Sequence, residues 1–273
     1  MAVWFITGAG RGLGAAIVRQ ALARGDQVVA ASRRPEAAQD QPKHADLLPV
    51  RLDVTSESDA VTGVRAAVER FGRIDFLVNN AGRSLLGAVE EATASDVQEV
   101  FATNLFGVLA VTRAVLPVMR HQGSGTVVNI GSMGGFAQSP GWGVYGATKF
   151  ALEGISEALA AEVKPLGIRV TIVEPGSFRT DFLDSTSLQS ASTSIEDYAA
   201  TIDPIRAASR SRSGSQANDP DLGALALISA VTAETPPFRL PLGRDAVSTI
   251  EHKIESVRSE LTEWRSISES TEA

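Results

Sequence analysis

A doubly wound parallel α/β sheet, with helices on both faces, is the fold that this chain of 273 residues predicts. Three observations predict it. Short apolar runs alternate with longer segments of helical periodicity through the first two thirds of the chain. The runs are apolar along their whole length rather than at every second residue. The first of them ends in a glycine-rich turn that opens a helix. Parallel strands need a crossover, and helices supply it. Strands apolar on both sides belong to a sheet covered on both faces.

The expected strands are residues 3–6, 28–31, 50–54, 74–78, 126–130 and 168–173. Between them, 13–24, 56–71, 95–119 and 144–163 carry apolar residues at helical spacing. Ser56 with Asp59, and Thr93 with Asp96, have the spacing of a capping box and mark two helix starts. The last third behaves differently. Between residues 185 and 218, 12 of 34 positions are Ser or Thr and no apolar period is sustained. Residues 183–218 therefore read as a substrate lid or loop embedded in the domain. A helix is expected again over 221–231, an edge strand over 238–242, and an amphipathic closing helix over 245–264. The expectation is one Rossmann-type domain over 1–265 with a frayed polar tail over 266–273.

Composition narrows the function classes. With no cysteine, disulfide scaffolds, cysteine–zinc sites and thiol nucleophiles are excluded. The three histidines, His44, His121 and His252, are far apart in sequence and give no support to a zinc site; no metal is expected. A net charge of −7 offers no broad basic footprint for nucleic acid or an anionic membrane. No apolar run reads as a membrane span or a signal peptide, so a cytoplasmic protein is expected.

The glycine turn is Gly8-Ala9-Gly10-Arg11-Gly12-Leu13-Gly14, directly after the first strand. Glycines there make the turn tight and let the backbone approach a pyrophosphate, while the helix N-terminus offers unpaired N–H groups to it. The spacing Gly-x3-Gly-x-Gly, preceded by Thr7, resembles the first turn of the short-chain dehydrogenase/reductase family. The resemblance runs from about residue 3 to 182 and is carried by further motifs in the expected order.

At the ribose end, after the second strand, stands Ser32-Arg33-Arg34 in place of a carboxylate. A guanidinium suits a 2′-phosphate better than a hydroxyl, so Ser32 and Arg33, with Arg11 from the glycine turn, point to NADP(H). Arg34 is the less trusted neighbour. The resemblance assigns Asp53 and Val54 to the adenine. It gives Asn80 of Asn79-Asn80-Ala81-Gly82 to bracing the sheet and lining the ribose, and lets Ala81 and Gly82 pass the cofactor closely. Pro175, Gly176, Phe178 and Thr180 follow the sixth strand and resemble the segment that lies on the nicotinamide carboxamide.

Tyr145 and Lys149 are one helical turn apart and share a face. A free phenol is too weak an acid for proton exchange near neutrality, and an adjacent ammonium is expected to lower its pKa. Lys149 can also hold the nicotinamide ribose. Ser132, following the strand at 126–130, can donate to a carbonyl oxygen beside the phenol. Asn104 matches the family asparagine that holds a water in a proton relay to the lysine. Tyr145, Ser132, Lys149 and Asn104 thus imply hydride transfer between NADP(H) and a ketone or aldehyde, with the secondary alcohol in reverse.

The opposing reading is an inactive, dinucleotide-sensing regulator, which would be expected to lack Tyr145 or Lys149. Met133 to Val144, with Phe136 and Trp142, should frame a partly apolar pocket. Arg206, Arg210 and Arg212 read as solvated lid charges. Residues 238–243 look more like the hydroxysteroid- and retinol-type members than the acyl-carrier ketoreductases. Family members commonly assemble through the two helices at 95–119 and 144–163, so a homo-oligomer is expected.

Overall fold

The computed structural model describes residues 1–35, 44–184 and 187–272, so residues 185 and 186 of the expected lid and Ala273 of the expected tail lie outside the described residues. Strand β1 (Val3–Thr7) is buried at every position. It pairs in parallel with β2 (Gln27–Ser32) on one side and β4 (Phe76–Asn79) on the other, with Ile6 opposite both Ala30 and Val78. With β3 (Leu47–Arg51), β6 (Gly125–Ile130), β7 (Ile168–Pro175) and β9 (Arg239–Leu242), they form a seven-stranded parallel sheet in the order β3-β2-β1-β4-β6-β7-β9. The chain leaves β1 toward β3 and then returns to β4. The strand order therefore reverses between β1 and β4, and a crevice opens at their carboxyl ends.

Alternate β1 side chains go to opposite faces. Trp4 and Ile6 pack with α1 (Gly12–Ala23) and α7 (Pro220–Val231) in one core. Phe5 packs in the other, under α2 (Glu57–Phe71) and α4 (Gly107–Gln122). This double burial explains why the strands lack polar alternation. Both predicted caps form. Ser56 accepts from the Asp59 N–H ahead of α2, and Thr93 and Asp96 exchange bonds ahead of α3 (Ala94–Phe101).

Four expectations are corrected. The third strand ends at Arg51 rather than Val54, because the Asp53 N–H turns out of the ladder to the Asp59 carboxylate at 3.0 Å. The expected helix at 95–119 is α3 and α4 joined through a π-helical turn at Ala102–Phe106. By length and composition, residues Ala94–Gln122 would cross a membrane, yet half of the apolar window is buried inside the protein.

The expected lid contains regular structure. A short strand β8 (Leu188–Ser190) pairs with β5 (Ser84–Leu86), and α6 (Ala199–Ser211) follows. Only Ile202 and Ser209 of α6 are buried, so its period was too sparse to see. Finally, α8 (Arg244–Glu269) continues through the first half of the expected frayed tail. The closing helix and the edge strand β9 form, and α5 (Gly143–Val163) matches its expected span closely.

Candidate active site and dinucleotide cleft

The glycine turn is fixed by sterics. Gly8 has φ +63°, and a Cβ there would lie 2.9 Å from Ala81 Cα. A Cβ on Gly14 would collide with the Asn80 amide and the Gly8 carbonyl. Asn80 donates from Nδ2 to the carbonyls of Thr7 (3.0 Å) and Gly8 (3.1 Å), while Thr7 Oγ1 accepts the N–H groups of Asn80 and Ala81. The turn is thereby fastened to the end of β4, across the point where the strand order reverses.

Arg11 is the exposed N-cap of α1 and gives it no side-chain cap, leaving the first-turn N–H groups of Gly12, Leu13 and Gly14 at the cleft. Gly12, at φ +54°, faces Thr180, whose Cβ would be 3.2 Å from a Cβ at Gly12. The cradle between them is one that any side chain would fill. Ser32 Oγ, at the end of β2, is a buried hydroxyl with no hydrogen-bond partner among the described residues, and Arg33 and Arg34 stand exposed beyond it. A dinucleotide fits this donor set: N–H groups for the pyrophosphate, an orphan hydroxyl and guanidinium for the ribose end. Asp53 is half-buried, with Oδ1 held by the Thr55 N–H and hydroxyl, and Val54 packs against Gly107.

The segment after β7 only partly follows expectation. Thr180 faces the glycine turn. Gly176 donates its N–H to the Leu242 carbonyl and abuts Asp245 of α8, so Pro175 and Gly176 build the β7–β9–α8 junction. The Phe178 ring, expected on the nicotinamide side, instead packs on Gly223 of α7 as part of the core. The bare α7 backbone at Gly223 is what admits it.

Ser132 follows β6 and caps the turn at Met133–Gly135 by accepting the Gly134 N–H at 3.0 Å. Its hydroxyl lies beside that of Tyr145, the third residue of α5, and acts to lower the phenol's pKa. The Tyr145 ring is framed by Trp142 (5.9 Å between centroids) and by Phe182 from the first turn of the lid (5.7 Å). One turn along α5, Lys149 Nζ donates to the Ile130 carbonyl at 2.8 Å and lies 5.9 Å from the Tyr145 ring centroid. Burial governs both ionisations. It pushes Tyr145 up to about 12, only partly offset by Ser132, and pushes Lys149 down to about 8. Desolvation is thus the larger influence on the phenol from the chain's own residues.

Asn104 is fully buried in the π-helical turn. It accepts the Arg83 N–H and donates to the Arg83 carbonyl, both at 2.9 Å, and also donates to Thr148 Oγ1 at 3.1 Å. Thr148, absent from the sequence expectations, donates in turn to the Tyr145 carbonyl at 2.7 Å. Its only sequence signal was its place between Tyr145 and Lys149. Arg206 is no solvated lid charge. It pairs with the buried Glu91 at 2.7 Å, and Glu91 also accepts the Ile195 and Ala88 N–H groups. Among the described residues no cluster of potential metal ligands occurs.

Comparison with known proteins agrees with this geometry. The family model described as short chain dehydrogenase matches residues 2–191. Oxidoreductase BOA17 of Botryotinia fuckeliana is 38% identical over 269 residues, covering 97% of each chain. The 3-ketodihydrosphingosine reductase of Bacteroides thetaiotaomicron is 37% identical over 242 residues, covering 87% of this chain and 86% of its own. A crystal structure of a short-chain dehydrogenase from Streptomyces avermitilis superposes with a TM-score of 0.91 at 41% identity, covering 100% of this chain and 99% of that one. The match in sequence and in fold shows the lineage: the chain belongs to the short-chain dehydrogenase/reductase family of oxidoreductases.

Proposed function

We propose that the chain is an NADP(H)-dependent reductase of ketones or aldehydes, running as an alcohol dehydrogenase in reverse. The observation that carries this is the grouping of Ser132 beside Tyr145 with Lys149 buried one turn further along α5, at the carboxyl end of β6. Proteins of this family have been solved with NAD and with NADP bound. The basic pair Arg33 and Arg11, with the orphan Ser32 hydroxyl, supports the phosphorylated form here.

When bound, the nicotinamide supplies the hydride. The chain's own residues do the rest. Gly12, Leu13 and Gly14 present N–H groups to the phosphates, Asn80 holds that turn rigid, and Asp53 and Val54 border the adenine end. Ser132 donates to the substrate oxygen and orients it. Tyr145, protonated through neutrality, gives its proton to that oxygen as it gains charge. Lys149 positions the phenol and holds a positive charge behind it. The Phe182 and Trp142 rings flank the phenol and make its surroundings partly apolar, which favours a substrate with a hydrophobic group beside its carbonyl. Phe106 and Phe150, exposed on or beside α4 and α5, suit a homo-oligomer through those helices.

NADPH oxidation against a panel of aryl ketones, β-keto esters and long-chain ketones tests the reading. Tyr145→Phe is expected to lower kcat about 10²–10⁴-fold with the fold intact; unchanged turnover rejects the mechanism. Arg33→Ala is expected to raise KM for NADPH on the order of 10-fold or more, from loss of a charge-assisted bond, and to leave NADH unaffected. Equal changes reject the phosphate assignment.

A further inference from the structure

We propose that α8 pairs with α8 of a second copy of this chain as an antiparallel coiled coil. From Ile254 to Glu269 every residue of α8 is exposed, so the helix leaves the body after its second turn. An exposed helix should be polar all round, yet this one carries an apolar seam. Val247, Ile250, Ile254, Val257, Leu261 and Trp264 follow one another at alternating steps of three and four, the heptad spacing of a coiled coil. Ile250 is held against the body, but Ile254, Val257, Leu261 and Trp264 are about half exposed, and Val247 is 42% exposed. Nothing among the described residues covers them.

The charges beside the seam choose the partner's direction and register. Glu251, Arg258 and Arg265 flank it on one side, and Lys253 and Glu260 on the other. In a parallel pair Lys253 would oppose Arg258 while Glu260 opposed Arg265, one repulsion against one attraction. In an antiparallel pair with Ile254 opposite Val257, Glu251 meets Arg258 and Lys253 meets Glu260. Two-fold symmetry makes each occur twice, and these attractions outnumber the one like-charge pair, Arg265 against Arg244 at the first residue of the helix. The same register sets Trp264 on the smaller, exposed Val247, while Ile250 stays against its own body. Sliding by one heptad in either direction puts like charges on the symmetry axis, Arg258 and Glu260 against themselves one way, Glu251 and Lys253 the other. This surface is separate from the α4 and α5 faces.

Because the chain has no cysteine, single cysteines report the register directly. Ile254→Cys and Val257→Cys are made separately in the full chain and oxidised alone and as an equal mixture. The mixture is expected to give a disulfide-linked dimer on a non-reducing gel, and neither variant alone should. Cross-linking of either single variant means a parallel pair and overturns the proposal; so does a mixture that stays uncrosslinked. Glu251→Arg should weaken self-association in sedimentation on the order of tenfold, and adding Arg258→Glu should restore it. Failure of that restoration also overturns it. So does a chain that stays uncrosslinked but floats with phosphatidylcholine–phosphatidylserine vesicles.

Discussion

Glu174 is a fully buried carboxyl at the end of β7, facing Glu153 of α5, and Arg239 of β9 is shared between them. Arg239 Nε lies 3.2 Å from Glu153 and 3.6 Å from Glu174, and the same guanidinium also pairs with Glu157. One cation thus serves three carboxylates. Both Glu174 oxygens and Glu153 Oε1 are buried acceptors without a donor, and a proton on Glu174 supplies one. Desolvation, reinforced by Glu153, pushes Glu174 up to about 7 from an ordinary 4.5. The folded state therefore binds this proton more tightly than the unfolded chain does. Stability from it is present below about pH 4.5 and is lost as pH rises through about 7.

Glu174→Gln imitates the protonated acid, its amide N–H replacing the proton toward Glu153. A difference of about 2.5 pKa units is worth about 3 kcal/mol once pH is well above 7, and less than about 1 kcal/mol at pH 5. The variant should match wild type in acid and exceed it in base. Calorimetric melts at pH 5 and pH 8.5 read this as a gap that opens with pH, at roughly 2–4 °C per kcal/mol for a domain near this size. A gap that is constant, or that opens toward acid, refutes the shared-proton account.

Two further outcomes follow from the site. The ammonium of Lys149, held near 8 by burial, should be required for reduction, so kcat/KM in that direction is expected to fall above about pH 8 while Tyr145 stays protonated. A pH profile whose alkaline limb lies near 10 or beyond refutes it. Arg206→Met strands the buried carboxylate of Glu91 and should cost about 3–5 kcal/mol in urea unfolding, with faster proteolysis of residues 188–211. A loss below about 1 kcal/mol would show that the backbone N–H groups of Ala88 and Ile195 hold Glu91 alone.

What the sequence revealed and what it hid divide along the range of the interactions. The strands β1 and β2 were legible because burial on both faces writes an unbroken apolar run, and the caps of α2 and α3 because both partners are three residues apart. The glycine turn was legible because each glycine is demanded locally by φ or by a close backbone. Contacts across the chain were not legible. Nothing near Phe178 says that a bare helix backbone 45 residues on will take its ring. Nor does anything near Arg206 say that its partner is Glu91, or near Arg239 that it serves three acids. The end of α8 was misread for another reason: a polar tail and the exposed part of a helix share a composition, and the heptad seam alone separates them.

Asn104 shows how such distant contacts bear on the chemistry. Its amide was expected to hold a relay water, but both its N–H groups are committed, to the Arg83 carbonyl and to Thr148 Oγ1, and its oxygen already accepts the Arg83 N–H. One lone pair is all the side chain has left to offer. Its work is therefore first to position. It pins the chain after β4 to the π-helical turn, and through Thr148 it pins that turn to the Tyr145 carbonyl. Lys149 fastens the next turn of α5 to Ile130 of β6. The tyrosine and lysine are thus held to two separate elements, through buried bonds at Thr148 and Lys149. An ångström of slack in such a site can cost on the order of 10²-fold in rate. That sensitivity is the physical reason for placing a π turn, which re-aims its backbone by one residue, where a regular helix would have carried Asn104 past its partners.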